Sequence, residues 1–164
     1  TDLARRFANS YRWRRGYGPS AARVLKRIRK GQDWQSAARA IYPQGSFGNG
    51  AAMRAPVLAL FFADDAALLA AAHASAEVTH GHPLAIAGAQ LIALATRGLL
   101  QRQSAGQMLD ALDHLNLPDE LARRLQLTRQ WLEAGTHPDA ADPSKWRGQN
   151  LLGITLMRVR DALR

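Results

Sequence analysis

An all-α fold is predicted for this 164-residue chain by three observations. Apolar residues recur at helical spacing through nearly every segment. No alternation with the two-residue period of a strand persists over more than a few positions. The breaks fall on glycine, proline and helix-capping side chains rather than on the short turn dipeptides of hairpins.

Taken in order, Asp2 caps a first helix in which Leu3, Phe7, Ala8 and Tyr11 share one face. RGYGPS, residues 15–20, breaks it. Ser20 precedes AARVLKRIRK, where Val24, Leu25 and Ile28 form an apolar stripe and Gly31 ends the run. Asp33 opens a short helix through Ile41, and Pro43 stops it. After a glycine-bearing loop, residues 51–62 read as one strongly apolar helix with Pro56 as a kink or early-turn residue. Asp64 and Asp65 begin an alanine-rich helix to about Val78. THGHP, residues 79–83, is a loop, and Pro83 opens the longest apolar helix, through about Arg97. Ser104 starts a helix ending near Leu115, and Pro118 starts another ending at Gly135. Residues 136–146 read as a long polar loop, followed by a last helix from about Leu151. The alanine content of the central helices requires close packing, with Leu, Ile and Val filling the gaps.

The length suits one domain, residues 1–164, with a real core, and 47% hydrophobic residues mark a globular chain. No cysteine is present, which removes disulfides and thiolate metal sites and fits a cytoplasmic setting. Arginines interrupt any leader-like apolar run at the start, and no apolar run reaches the ~18–20 residues of a membrane helix, so a membrane is not expected as a partner. The net charge of +9 is concentrated in residues 5–30 and 145–164 and favours anionic partners. Nucleic acid is the lesser of these readings, resting on charge alone.

Four short constellations can carry chemistry. In GSFGNG, residues 45–50, three glycines cost about 0.5–1 kcal/mol each in ordering entropy. The loop is either a tight helix–helix turn or a nest of bare amides for phosphate, formed by Gly45, Ser46, Phe47, Gly48, Asn49 and Gly50 and helped by the dipole of the following helix. It lacks the GK[ST] of a Walker loop and has no strand before it. Phe47 either stacks on a ligand ring or plugs the core under the loop. His80 and His82 lack companion ligands at a metal-site spacing, which ranks helix-end capping first, with donation by His80 to a phosphate or ribose oxygen as a further option. Asp64-Asp65 fits capping better than a hard-cation site, and Asp113-His114 has no nucleophile to complete a triad. RGYGP, residues 15–19, is a second glycine turn flanked by arginine, suited to a diphosphate or to a plain helix connection.

Three segments together resemble the ADP-ribosylglycohydrolases: LARRFANSYRWRRGYG (3–18), GSFGNGAAMRAP (45–56) and ASAEVTHGHPLAIAGA (74–89). The likeness covers about residues 3–97, in matching order and separation; Ile154-Thr155 and Ala162-Leu163 match a later family helix only faintly. The resemblance implies a compact orthogonal multi-helix bundle and hydrolysis of the N- or O-glycosidic bond between ADP-ribose and a modified protein or small conjugate. It implies that Gly45, Ser46, Phe47, Gly48 and Asn49 cradle the diphosphate, with Phe47 facing the adenosine end. Gly16 and Gly18 would line the proximal ribose, and His80 would reach the ribose–phosphate region.

The family pattern also implies two magnesium ions held between an early GD-x-x-G/Thr-Asp-Asp motif and a late GDTDT. Neither motif occurs in this sequence. Asp64-Asp65 does not follow Thr or Ser and lies on the wrong side of the glycine loop. The expectation is therefore the central portion of a longer domain, incomplete at both ends, with no metal ligands and no identified catalytic residue of its own. It should bind ADP-ribose poorly and turn it over little. The alternative is an inactive ADP-ribose-binding or protein-interaction module. The acceptor bond stays open among arginine, serine and small-molecule conjugates.

Overall fold

The computed structural model describes residues 2–135, and all regular structure among them is helical. The long loop at 136–146, the last helix and the second basic stretch lie outside the described residues. The chain divides into two compact units, with the boundary inside one helix between Ala93 and Leu94.

In the first unit, α1 (Asp2–Ser10) packs on α2 (Pro19–Arg29), and α2 on α3 (Trp34–Arg39). Ala4 and Ala8 of α1 and Val24 and Leu25 of α2 are buried, the apolar stripes that spacing anticipates. Asp2 sits in the first turn of α1, where its carboxylate pairs with Arg5 at 2.7 Å and Arg6 at 2.5 Å. Asp33 is the N-cap of α3, accepting from the Ser36 amide at 2.9 Å.

The apolar run at 51–62 is where the expectation of one helix fails. It divides into α4 (Gly50–Arg54) and a 3₁₀ turn (Ala55–Leu60). Pro56 has no N–H to give the carbonyl four residues back, and its ring crowds that carbonyl, so the chain tightens at this point. At five residues, α4 is too short to supply the dipole expected behind the glycine loop.

α5 (Asp65–Glu77) starts at the Asp64 cap, whose side chain accepts from the Ala67 amide at 2.7 Å. It packs on α4 and the 3₁₀ turn. The core here is a set of small side chains one turn apart: Ala51, Ala55 and Ala59; Leu68, Ala72 and Ala76; Ala89 and Ala93. Alanine at every fourth position lets helix backbones approach closely, and Leu58, Phe62, Ile86 and Ile92 close the rim.

α6 (Pro83–Leu100) extends beyond Arg97, which corrects the expected length of this apolar run. At 18 residues it is long and apolar enough to cross a membrane by length and composition. In the structure 44% of it is buried, with Ala89 and Ala93 inside the alanine core.

The second unit contains the end of α6 with α7 (Ala105–Asp113) and α8 (Asp119–Glu133). Ser104 and Gln107 form a reciprocal capping box at the start of α7. Met108, Leu109, Leu112 and Leu125 are buried, and Arg129 bridges Asp110 and Asp113 at 2.9 and 2.6 Å. This ion pair accounts for Asp113 as a surface partner.

Leu68 is fully buried, whereas Leu60 is 65% exposed. Leu68→Ala should lower unfolding stability by about 2–5 kcal/mol in urea titrations. Leu60→Ala should change it by about 0.5 kcal/mol or less.

Candidate functional site

A cleft of about 630 Å³ opens in the first unit between the two glycine-bearing turns. Gly16 and Gly18 line one side, and Ser46, Gly48 and Asn49 the other, with His80 and Arg54 at the floor. Six of the eight residues anticipated from sequence therefore meet in one cavity; Gly45 and Phe47 do not line it.

The turn at 15–19 reaches the cleft because Gly16 adopts φ +68°, the left-handed region open to glycine, and ends a short 3₁₀ turn (Trp13–Arg15). Tyr17 is held against the Tyr11 ring, centroids 5.0 Å apart. Pro19 then starts α2.

The loop at 45–50 folds against the THGHP segment. Gly45 has φ +81°, and a Cβ there would lie 2.4 Å from the His82 nitrogen and 2.5 Å from the Gly81 carbonyl carbon. Its lack of a side chain is thus a packing requirement, with His82 N–H donating to the Ser46 carbonyl at 3.4 Å. Gly50 has a similar reason: a Cβ would meet the His80 ring at 2.8 Å. At Gly48 a Cβ would make only ordinary contacts, 3.5 Å from His80 and Ser46 Oγ. The Gly45 amide donates to Tyr42 and the Gly48 amide to Ser46 Oγ. Among the described residues, the amides of Ser46, Phe47 and Asn49 have no protein acceptor.

Phe47 is 73% exposed, so it does not plug the core. Its ring meets the edge of His82 at 5.6 Å. His82 caps α6, its Nδ1 accepting from the Leu84 amide at 3.2 Å. The two histidines therefore diverge: His82 props Phe47 and the helix start, while His80 turns under the loop.

The residue that sequence reading missed is Arg54. Its guanidinium is drawn inward, over the Phe7 ring at 5.2 Å, and donates to Ser75 Oγ and Thr79 Oγ1 at 3.0 Å each, to the Ser75 carbonyl, and to Gly50 O at 3.4 Å. All four acceptors are neutral, and no carboxylate pairs with Arg54 among the described residues. Burial pulls its pKa well below the ordinary arginine value, to about 10, so it remains a cation at neutral pH. Arg54 is half-buried, and a partly desolvated charge with only neutral partners is favoured further when an anion meets it. The available signal was a single arginine inside the apolar run at 51–62.

Thr79 Oγ1 continues the network to His80 Nδ1 at 2.7 Å. His80 is 8% exposed, and burial followed by the charge of Arg54 pushes its pKa from 6.5 to about 4. It is therefore a neutral hydrogen-bonding group at physiological pH rather than a charged one. Among the described residues no group of three or more His, Asp or Glu side chains is placed to hold a metal ion.

A family model described as ADP-ribosylglycohydrolase matches residues 1–162, well past the span that the three motifs carry. The chain is similar to the ADP-ribosylhydrolase ARH3 of Gallus gallus, 31% identical over 161 residues, covering 84% of this chain and 44% of that protein. It is 37% identical over 111 residues to ARH3 of Homo sapiens, covering 65% of this chain and 31% of that protein. The ARH3 of Danio rerio is 38% identical over 105 residues, covering 61% and 28%. The chain spans less than half the length of these curated relatives.

Two outcomes follow from this geometry. Gly45→Ala combines left-handed strain, roughly 1–2 kcal/mol, with a backbone overlap, and should lower the thermal midpoint sharply, while Gly48→Ala should leave it nearly unchanged. The His80 pKa is lower in the folded chain than the ordinary 6.5, so the unfolded chain binds more protons between those values. Stability should fall as pH drops from about 6.5 to about 4, and His80→Gln should flatten that part of the thermal-midpoint profile relative to the unaltered chain.

Proposed function

The chain belongs to the ADP-ribosylglycohydrolase family, and from that membership and the cleft we propose that residues 16–80 form the ADP-ribose seat of an ADP-ribosyl hydrolase. The reaction of the whole protein is then cleavage of the glycosidic bond between the ribose anomeric carbon and a nitrogen or oxygen of a modified protein or small conjugate, with water taking the acceptor's place. The observation that carries the reading is the half-buried Arg54 cation in a cleft also lined by Ser46 and Asn49, whose amides have no protein acceptor among the described residues.

In this reading the amides of Ser46, Phe47 and Asn49 and the charge of Arg54 offset the diphosphate. The exposed Phe47 ring offers an apolar face to the adenine, with His82 behind it. The bare edges of Gly16 and Gly18, where an added Cβ would meet nothing within 4 Å, leave room for the proximal ribose. His80 supplies a hydrogen bond to a ribose or phosphate oxygen. Gly45 contributes indirectly, by letting the loop rest on residues 81–82.

The magnesium ions that the family resemblance implies do not fit the described residues, which bring no carboxylate cluster together. This chain's own groups are therefore assigned binding and orientation, and no bond-breaking step is routed through a metal.

Calorimetric titration with ADP-ribose tests the reading. Weak but saturable one-to-one binding is expected. Phe47→Ala should weaken it by roughly five- to hundredfold, the loss of one aromatic–base stack of about 1–3 kcal/mol. Gly48→Val, whose branches project into the cleft, should abolish binding while leaving helicity intact. Equal affinity for all three proteins would refute the proposal.

A further inference from the structure

The cleft floor holds a hydrogen-bond chain whose direction can be settled by counting protons. The Arg54 guanidinium has donors only, so it donates to Thr79 Oγ1, at 3.0 Å. Thr79 is 5% exposed, and its hydroxyl has one proton to place. Among the described residues the acceptor within reach is His80 Nδ1, at 2.7 Å. The reverse arrangement, with Nδ1–H donating to the hydroxyl, would leave that hydroxyl accepting twice and its own proton buried without a partner. Such an unmade bond costs about 1–3 kcal/mol.

We infer that Arg54 and Thr79 act as positioning residues that lock His80 in the tautomer protonated on Nε2, so that the cleft presents an N–H donor to an anionic or hydroxyl oxygen of its ligand. The inference rests on the reading of the cleft as an ADP-ribose seat for its ligand, but the proton arrangement itself belongs to the free protein. Nε2 lies beneath the loop, 3.5 Å from where a Cβ would stand on Gly48 and 2.9 Å from one on Gly50. His80 is buried, lines the cleft, and its Nε2 has no protein partner among the described residues. The lowered pKa of His80 agrees: the ring is neutral near pH 7, where a tautomer is defined. A cationic ring would force Nδ1–H onto Thr79 and set a second positive charge beside Arg54.

The relay also gives the cleft a directional preference that charge alone does not. A neutral imidazole with a fixed Nε2–H rewards an acceptor and rejects a donor at the same point, because an opposing N–H would leave two buried donors facing each other. Thr79 thereby acts on ligand choice without touching the ligand.

Long-range proton–nitrogen spectra of protein labelled on histidine nitrogen test this near pH 7, with His80→Gln assigning the signal among the five histidines. A protonated Nε2 and an unprotonated Nδ1 are expected for His80 in the ligand-free chain. Thr79→Ser should keep that signature, and Thr79→Val should mix or invert it. ADP-ribose affinity should fall about tenfold in Thr79→Val and stay near the unaltered value in Thr79→Ser. A protonated Nδ1 in the unaltered chain, or the same tautomer and affinity in Thr79→Val, would overturn the relay. Failure of the unaltered chain to bind ADP-ribose would overturn the cleft reading, and the tautomer signal would still decide the relay.

Discussion

A half-buried guanidinium with no carboxylate partner among the described residues organises the first unit. Arg54 leaves α4 at the point where Pro56 tightens the chain, and reaches across to Ser75 in the last turn of α5 and to Thr79 just beyond it. These contacts join segments 21 and 25 residues apart. They hold the start of the 79–83 segment, on which the glycine loop rests through Gly45, and they set the ring of His80 beneath Gly50. Placement of one charge therefore fixes the floor, one wall and the hydrogen-bonding edge of the cleft.

Such an arrangement is costly for stability taken alone. Hydroxyl and carbonyl partners satisfy donors but do not neutralise a cation, and desolvation penalises the charged form. The alanine core compensates by bringing α4, the 3₁₀ turn, α5 and α6 close enough to bury Ala51, Ala55, Ala72, Ala76, Ala89 and Ala93 nearly completely. The Arg54 cation gives the cleft a positive sign, and Ser46 and Asn49, whose amides have no protein acceptor among the described residues, line the same cleft. That sign comes from local geometry, and is separate from the surface arginines and lysines of α2, which are not among the residues lining the cleft.

Much of the fold was legible because its signals are local. Asp33 and Asp64 cap the helices they precede, Ser104 and Gln107 form a reciprocal box, and Pro83 occupies the first turn of α6, whereas α2 starts at Pro19, inside the segment read as a break. The run at 51–62 misled because its apolar periodicity outweighed one proline, although a missing N–H at Pro56 is enough to change the helix type. The glycine loop was legible as a place that needs bare backbone. Why each glycine is needed was not: Gly45 and Gly50 answer to Gly81, His82 and His80, about thirty or more residues on, and no local pattern encodes those approaches. Arg54 was passed over for the same reason, since its acceptors are brought near only by the packing of α4 on α5. The exposure of Phe47 removes the core-plug reading.

The central claim is that this cleft is a seat for a diphosphate made by Arg54, His80 and the amides of Ser46, Phe47 and Asn49. It is tested most directly by titrating inorganic pyrophosphate into nitrogen-labelled protein and mapping the resonances that move. The account predicts saturable shifts concentrated at the amides of Ser46, Phe47 and Asn49, Arg54 Nε and His80 Nε2. Shifts confined to the exposed basic residues of α2, or rising without saturation, would contradict it.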